Sequence, residues 1–140
     1  MTIKKNIKKK FLKSASCLCG GIKIKIKGKL RHVNNCHCSQ CMKTHGNYAS
    51  YTACPEKNVV FVNKKTLKWF KSSKLAKRGF CAKCGASIFY KRFNSENISI
   101  SAGMFKNPSS LKTYSNIFTK GKLDYYKLDP RLPKFIRYSK

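Results

Sequence analysis

The spacing of the cysteines constrains what this chain can fold into more than any other feature. Seven of its eight cysteines fall in three short clusters, and Cys54 stands alone. The interior of the cell keeps thiols reduced. In an intracellular protein, clustered cysteines therefore indicate metal ligation rather than disulfides. Zinc binds four ligands in a tetrahedron and readily takes thiolates. The sequence therefore predicts zinc sites built from three clusters: Cys17 and Cys19; Cys36, Cys38 and Cys41; and Cys81 and Cys84.

The pair Cys81 and Cys84 has the C-x-x-C spacing of a zinc knuckle, and Gly85 follows it. A glycine there can take the positive φ that the tight turn needs. The pair supplies half of a tetrahedron. Cys17 and Cys19, which are followed by glycines of their own, are the natural second half. These four cysteines are predicted to form a closed, structural zinc site.

The remaining cluster, Cys36, Cys38 and Cys41, offers three thiolates within one short segment. Three protein ligands with an exchangeable fourth position are the arrangement of catalytic zinc, so we expect an open site here. The alternative is that Cys54 or a histidine closes this site as well. Cys54 precedes Pro55 and is better explained as a free buried thiol.

His37 lies between two of the predicted ligands. If this segment is extended, successive side chains point to opposite sides, and the ring of His37 points away from the metal. We expect it to pack beside the site or at the surface and not to bind the ion.

The charge of the chain is extreme. It has 32 Lys and Arg against 4 Asp and Glu, a formal net charge of +28. Such a field attracts nucleic acid, acidic membrane and small anionic substrates. Lys, Asn and Ile are abundant together, so the base composition of the genome explains the charge equally well. The shortage of acids does exclude a mechanism built on paired carboxylates.

Hydrophobic periodicity favours an all-β fold. Isoleucines alternate with lysines over residues 22–27, which is the pattern of a half-buried strand. Short runs separated by turn residues add further strands, and their spacing is that of a sandwich or rolled sheet. A helical turn is expected over 39–45 and irregular chain over 123–138. The other predicted strands are 47–52, 58–62, 66–70, 86–91 and 97–101.

The chain divides into a basic N-terminal tail, residues 1–13, and a single domain, residues 14–140. Apolar residues four apart in the tail predict either a basic amphipathic helix that docks on an anionic surface or a solvated end. No stretch has the roughly 18 apolar residues of a membrane span or the h-region of a signal peptide. We therefore expect a cytoplasmic protein.

Three motifs occur in order: SCLCGG over 16–21, CHCSQC over 36–41 and RGFCAKCG over 78–85. Together they resemble the glutathione-dependent formaldehyde-activating (GFA) family, which also contains the centromere protein V-like domains. Segments 67–70, 98–103 and 132–135 add weaker support, so the resemblance runs from about Ser16 to Phe135.

The resemblance implies a fold, a metal content and an activity. The fold would be an Mss4-like rolled β-sheet, or β-tent, with zinc knuckles. It would hold two zinc ions, a structural one on Cys17, Cys19, Cys81 and Cys84 and a catalytic one on Cys36, Cys38 and Cys41. The activity would be that of a carbon-sulfur lyase that condenses glutathione, or a similar small thiol, with formaldehyde, or a small aldehyde, to S-(hydroxymethyl)glutathione.

Two other functions fit the residues. The chain can be a non-catalytic adaptor that holds both metals structurally and binds nucleic acid through its basic surface, although it contains no groove-reading helix or RNP-type motif. It can also be a thiol or zinc carrier without turnover.

Overall fold

Ten strands and one short α-helix form the regular structure of residues 11–138, the part of the chain that this computed structural model describes. Single 3-10 turns occupy Glu56–Asn58, Ala102–Met104 and Thr119–Gly121. The elements are β1 (Phe11–Ser16), β2 (Lys23–Lys27), β3 (Val33–Cys36), α1 (Ser39–His45), β4 (Ala49–Pro55), β5 (Val59–Asn63), β6 (Leu67–Lys71), β7 (Ala76–Cys81), β8 (Ser87–Arg92), β9 (Asn97–Ser101) and β10 (Thr113–Ile117).

The prediction of a β-rich, rolled-sheet fold is confirmed. The predicted helical turn over 39–45 is α1, and β5, β6, β8 and β9 lie within one residue of the predicted strands. The strand predicted over 47–52 begins two residues later, at Ala49, and continues to Pro55. The sequence patterns missed β1, β3, β7 and β10. Residues 11–13 of the predicted tail belong to β1, and residues 1–10 lie outside the described residues.

The strands form two sheets. The smaller has the order β1-β2-β5, and the larger has the order β10-β3-β4-β9-β8-β7-β6. The pairings are antiparallel except that of β10 with β3, which is parallel. Within residues 11–138, no helix has the length and apolar character needed to cross a bilayer.

The main core lies between the two sheets. Ile24 and Ile26 of β2 are buried, while Lys23 and Lys25 are exposed, as the alternation predicts. They belong to the same buried cluster as Phe89 of β8 and Ile100 of β9. Each such side chain contributes about 1.5–3 kcal/mol when it leaves water. This core also includes Cys17 and Cys81, so one group of cysteines is built into it.

A second, smaller core surrounds the other cysteine cluster and contains Cys36, Cys41, Ala49 and Tyr51. Strand β7 reaches both regions: Cys81 at its end belongs to the main core, and Arg78, three residues earlier, is buried against Cys41.

The chain after residue 122 has no further strand or helix within the described residues, in agreement with the sequence-based expectation. It is held along β10 by backbone hydrogen bonds between Asn116 and residues Pro133 and Phe135.

Candidate metal centres

The structure brings together the sulfurs of Cys17, Cys19, Cys81 and Cys84, here called the four-cysteine cluster. All four lie within 4.8 Å of one another. The Sγ atoms of Cys17 and Cys19 are 3.7 Å apart, and those of Cys19 and Cys81 are 3.5 Å apart. A tetrahedron with zinc–sulfur bonds of about 2.3 Å has edges of about 3.8 Å. The cluster therefore fits a tetrahedral thiolate-bound ion.

Backbone amides support these sulfurs. The N–H of Ile22 donates to Cys17 Sγ at 3.3 Å, and the N–H of Cys84 donates to Cys81 Sγ at 3.3 Å. Hydrogen bonds to the charged form stabilise a thiolate. The turns that aim these amides need left-handed backbone at Gly20 (φ +80°) and Gly85 (φ +78°), which glycine adopts without steric cost.

Thr66 is a supporting residue that the sequence did not reveal. Its hydroxyl oxygen is 3.1 Å from Cys81 Sγ, and its backbone carbonyl accepts from the N–H of Ala82 inside the knuckle. With Cys81 fully buried and four sulfurs converging, this cluster has the form of a structural site.

The sulfurs of Cys36, Cys38 and Cys41, here called the three-cysteine cluster, also lie within 4.8 Å of one another. Cys36 ends β3, Cys38 is the N-cap of α1, and Cys41 lies in the first turn of that helix. Cys38 Sγ accepts from the N–H of Cys41 at 3.4 Å. The helix start thus folds the C-x-C-x-x-C segment around one point. Residues 11–138 bring no fourth Cys, His, Asp or Glu ligand to it.

The surroundings of Cys38 favour its thiolate form. Hydrogen bonds from the thiols of Cys36 and Cys41, the Cys41 amide and the nearby charge of Arg78 lower the pKa of Cys38 to about 2, although partial burial opposes them. A deprotonated sulfur is the form that binds a metal. Both clusters can therefore hold a metal ion, and the second leaves one coordination position free.

The three-cysteine cluster opens into a cavity of about 830 Å³. This volume lies within the range of about 300–1,000 Å³ usual for small-molecule sites. The described residues place no Asp or Glu side chain on its wall. Its cationic lining residues are Lys29, Arg31, Arg78 and Arg92. The cavity favours an anionic ligand.

Arg78 is buried next to the cysteines. Its Nη2 donates to Cys41 Sγ at 3.5 Å, and its Nη1 donates to the Tyr51 hydroxyl at 3.3 Å. Burial lowers the pKa of the guanidinium, but the hydrogen bond to Cys41 and the other nearby groups together outweigh this effect and raise it. Arg78 therefore stays charged beside the thiolates.

Tyr51 links Arg78 to His45, whose Nε2 lies 2.9 Å from the tyrosine hydroxyl. Burial and the charge of Arg78 lower the pKa of His45 to about 4, so its ring is neutral at pH 7. Burial also raises the pKa of Tyr51, which keeps its proton. The neutral tyrosine and histidine hold the guanidinium in place without competing with the thiolates for its charge.

Replacing Tyr51 with phenylalanine is expected to lower the free energy of unfolding by about 1–3 kcal/mol, because Arg78 and His45 each lose a buried partner. Chemical denaturation of the metal-loaded protein measures the loss. Tyr90→Phe is the matched control, since Tyr90 lines the same cavity and its hydroxyl has no hydrogen bond among the described residues. An equal loss in both variants would contradict the role of the Tyr51 hydroxyl.

His37 lies away from the cluster, as the sequence predicts, but it is fully buried and not at the surface. Its Nε2 donates to Asn116 Oδ1 at 2.8 Å, and its Nδ1 accepts from the Tyr126 hydroxyl. Burial lowers the pKa of His37, which keeps the ring neutral. The histidine ties the segment between two candidate ligands to β10 and to the C-terminal chain.

Cys54 is buried in β4 and borders the same cavity, and it joins neither cluster. Burial raises the pKa of this thiol to about 11, so it remains protonated.

A sequence model described as glutathione-dependent formaldehyde-activating enzyme matches residues 12–121. This match covers most of the chain and contains every cysteine of both clusters. The chain belongs to the GFA family. The family resemblance of the three cysteine motifs is therefore confirmed.

One relative of this GFA-family chain is named an uncharacterized lyase, from Schizosaccharomyces pombe. It is 28% identical over 112 residues, which are 79% of this chain and 81% of the relative. The crystal structure of a Rhodobacter sphaeroides protein superposes with a TM-score of 0.57 at 18% identity, covering 73% of this chain and 99% of that one. At this identity the likeness shows the fold alone.

Sequence reasoning about this GFA-family chain missed three residues beside the cysteines: Thr66, Tyr51 and Arg78. Thr66 and Tyr51 carry no local signal, because their roles depend on contacts 15 and 27 residues away along the chain. The sequence gives no signal that separates Arg78 from its neighbour Lys77, because the burial of Arg78 becomes visible only in the structure.

Proposed function

We propose that this chain is a zinc-dependent carbon-sulfur lyase that joins a small anionic thiol, glutathione or a close relative, to formaldehyde or another small aldehyde. The observation that carries the proposal is the three-cysteine cluster, which has a free coordination position at the wall of a cationic cavity. Membership of the GFA family and the lyase name of the fission yeast relative support the same reaction class.

The metal on both clusters is proposed to be zinc. All seven candidate ligands are cysteine sulfurs, and tetrahedral thiolate sites without redox chemistry are typical of zinc. A zinc ion on the three-cysteine cluster would favour the thiolate form of a bound thiol and polarise a carbonyl oxygen. The four-cysteine cluster would hold its ion purely for stability.

The reaction forms one carbon–sulfur bond. The sulfur lone pair of the thiol attacks the aldehyde carbon, the π electrons of the carbonyl move to oxygen, and the thiol proton ends on that oxygen. No oxidant or reductant is consumed. Since the product is neutral at the reacting atoms, the protein mainly has to bring the two molecules together and keep the sulfur ionised.

The cations on the cavity wall can bind the carboxylates of an anionic thiol. Glutathione carries two carboxylates, and Arg31 and Arg92 lie on the wall without a carboxylate partner among the described residues. Arg31 is anchored by a hydrogen bond to the Tyr51 carbonyl at 3.0 Å, and Arg92 by one to the Tyr138 hydroxyl at 3.1 Å. Anchored guanidinium groups bind carboxylates with little loss of side-chain freedom.

The test is the exchange rate between free glutathione and its formaldehyde adduct, measured by NMR at equilibrium with zinc-loaded protein. We expect exchange faster than in protein-free solution, and we expect the acceleration to disappear when a chelator strips the metal. A neutral thiol such as 2-mercaptoethanol is expected to react more slowly because it lacks the carboxylates. Unaccelerated exchange in a protein that holds two zinc ions and binds glutathione would contradict the enzyme and favour a thiol carrier.

A nucleic-acid-binding adaptor is the second candidate, favoured by aromatic rings set among lysines on the outer surface. Trp69 is 37% exposed with Lys77 Nζ 4.1 Å from its ring centroid, and Phe93 is 52% exposed near Lys71. Exposed rings in a basic surface are the elements of single-strand binding by stacking. This function needs no open metal site, which separates it from the enzyme.

A further inference from the structure

Arg78 is a buried cation without a carboxylate partner. The residue is 6% exposed, and neither ion pair among residues 11–138 includes it. Its Nε is also buried and has no hydrogen-bond partner in this part of the chain. A charge removed from water destabilises a fold unless an opposite charge compensates it. The structure must therefore supply a negative charge for Arg78 by other means.

That charge is the three-cysteine cluster. Arg78 Nη2 lies 3.5 Å from Cys41 Sγ, whereas its other hydrogen bonds are to the neutral groups of Tyr51, Thr44 and Gln40 at 3.3–3.5 Å. Its guanidinium carbon also lies 5.1 Å from the centroid of the neutral Tyr90 ring. Three thiolates around a divalent cation carry a formal charge of −1, and Arg78 cancels it. Arg78 thus stabilises the negative charge that the metal-loaded cluster carries.

We propose that Arg78 is a positioning residue that sets the affinity of the three-cysteine cluster for its metal and for a fourth, anionic ligand. A substrate thiolate brings a second net negative charge to the cluster, so the attraction from Arg78 grows when the free position is filled. The guanidinium of Arg78 is held in position by its hydrogen bond to the Tyr51 hydroxyl, and its backbone is held in strand β7. This inference rests on the open centre of the proposed function and not on the reaction performed there.

Cobalt(II) provides the test, because it replaces zinc at thiolate sites and its absorption reports the number and geometry of sulfur ligands. Chelator competition gives the affinity of each centre, and titration with 2-mercaptoethanol, a thiol without carboxylates, gives the affinity for a fourth ligand. The variants are Arg78→Met, which removes the charge at similar length, and Arg78→Lys, which keeps it. Lys77→Met is the matched control: it removes one positive charge from the same strand, at a side chain that contacts Trp69 and not the cysteines.

We expect the wild type and Lys77→Met each to bind two cobalt ions, and we expect the affinity of each centre to be the same in the two proteins. In Arg78→Met the weaker centre and its 2-mercaptoethanol complex are expected to lose at least about tenfold in affinity, while the tighter centre is unchanged. Arg78→Lys is expected to stay within about threefold of wild type. A merely structural arginine would lower the unfolding midpoint but leave the cobalt spectrum and both affinities in place.

Wild-type affinity for the second cobalt and for 2-mercaptoethanol in Arg78→Met would overturn the role of Arg78 alone. A wild-type chain that binds a single cobalt would instead contradict the open centre, and with it the proposed function. If Arg78→Met fails to fold, Arg78→Lys decides: a loss of tenfold or more in that variant, which retains the charge, would overturn the proposal.

Discussion

Replacing Cys38 with serine is expected to remove one of two metal ions per chain and to abolish thiol binding, while the fold survives. Cys38 Sγ is one of the three candidate ligands of the three-cysteine cluster, and a serine hydroxyl stays protonated at neutral pH. Two thiolates remain. Because loss of a residue that only orients a ligand costs about 10- to 100-fold in metal affinity, loss of a ligand should cost more than about a hundredfold.

Elemental analysis gives the metal content of this variant, and calorimetry gives its affinity for glutathione. Cys54→Ser is the matched control, since Cys54 is a buried thiol at the wall of the same cavity but outside the cluster. The control should keep two metals and bind glutathione. Glutathione binding that survives in Cys38→Ser would show that the thiol does not meet the metal.

The same variant separates the enzyme from the nucleic-acid adaptor. Binding of single-stranded nucleic acid that falls steeply with salt and is equal in wild type and Cys38→Ser would favour the adaptor. If neither protein binds nucleic acid at physiological salt, the positive charge of the chain needs another explanation.

The largest effect on stability is expected for Cys81→Ser. Cys81 is fully buried in the main core, its sulfur is held by the Cys84 amide and by Thr66, and it closes the four-cysteine cluster. Binding of structural zinc contributes about 10–16 kcal/mol in small zinc domains, which matches or exceeds the whole stability of an ordinary domain. We therefore expect a chain that is unfolded or insoluble at 37 °C.

Circular dichroism and chemical denaturation test this outcome, with Cys38→Ser as the comparison. Both variants lose one ligand from one cluster, but only the four-cysteine cluster is built into the main core. Cooperative unfolding of Cys81→Ser near the wild-type midpoint would mean that this cluster does not hold the fold together.

The fold class and the division of the cysteines could be predicted because both depend on local signals. A C-x-x-C turn followed by glycine specifies its own geometry, and the alternation of Ile24 and Ile26 with lysines specifies one buried face. The two-plus-two division of the four-cysteine cluster needed only that a sheet bring Cys17 and Cys81 together.

The missed features depend on distant contacts. The sequence of β3 has no strand pattern because two polar residues, Asn34 and Asn35, lie at its centre. In the structure Asn34 is buried and accepts a hydrogen bond from Ser115 of β10. Strand β7 was missed because it contains the charged residue Arg78. His37 was expected to pack beside the site or at the surface, and its burial results from Asn116 and Tyr126, 79 and 89 residues further along the chain.

Strand β7 connects the four-cysteine cluster to the three-cysteine cluster. Its end carries Cys81 into the four-cysteine cluster, and Arg78 on the same strand meets the three-cysteine cluster. A metal bound at the first cluster would therefore constrain the strand that carries the guanidinium at the second. If β7 couples the two centres, the linkage is reciprocal: a ligand in the cavity would strengthen metal binding at the four-cysteine cluster by the same free energy as that metal strengthens binding of the ligand. Titrating either centre with the other filled or empty would reveal the coupling as a change in affinity.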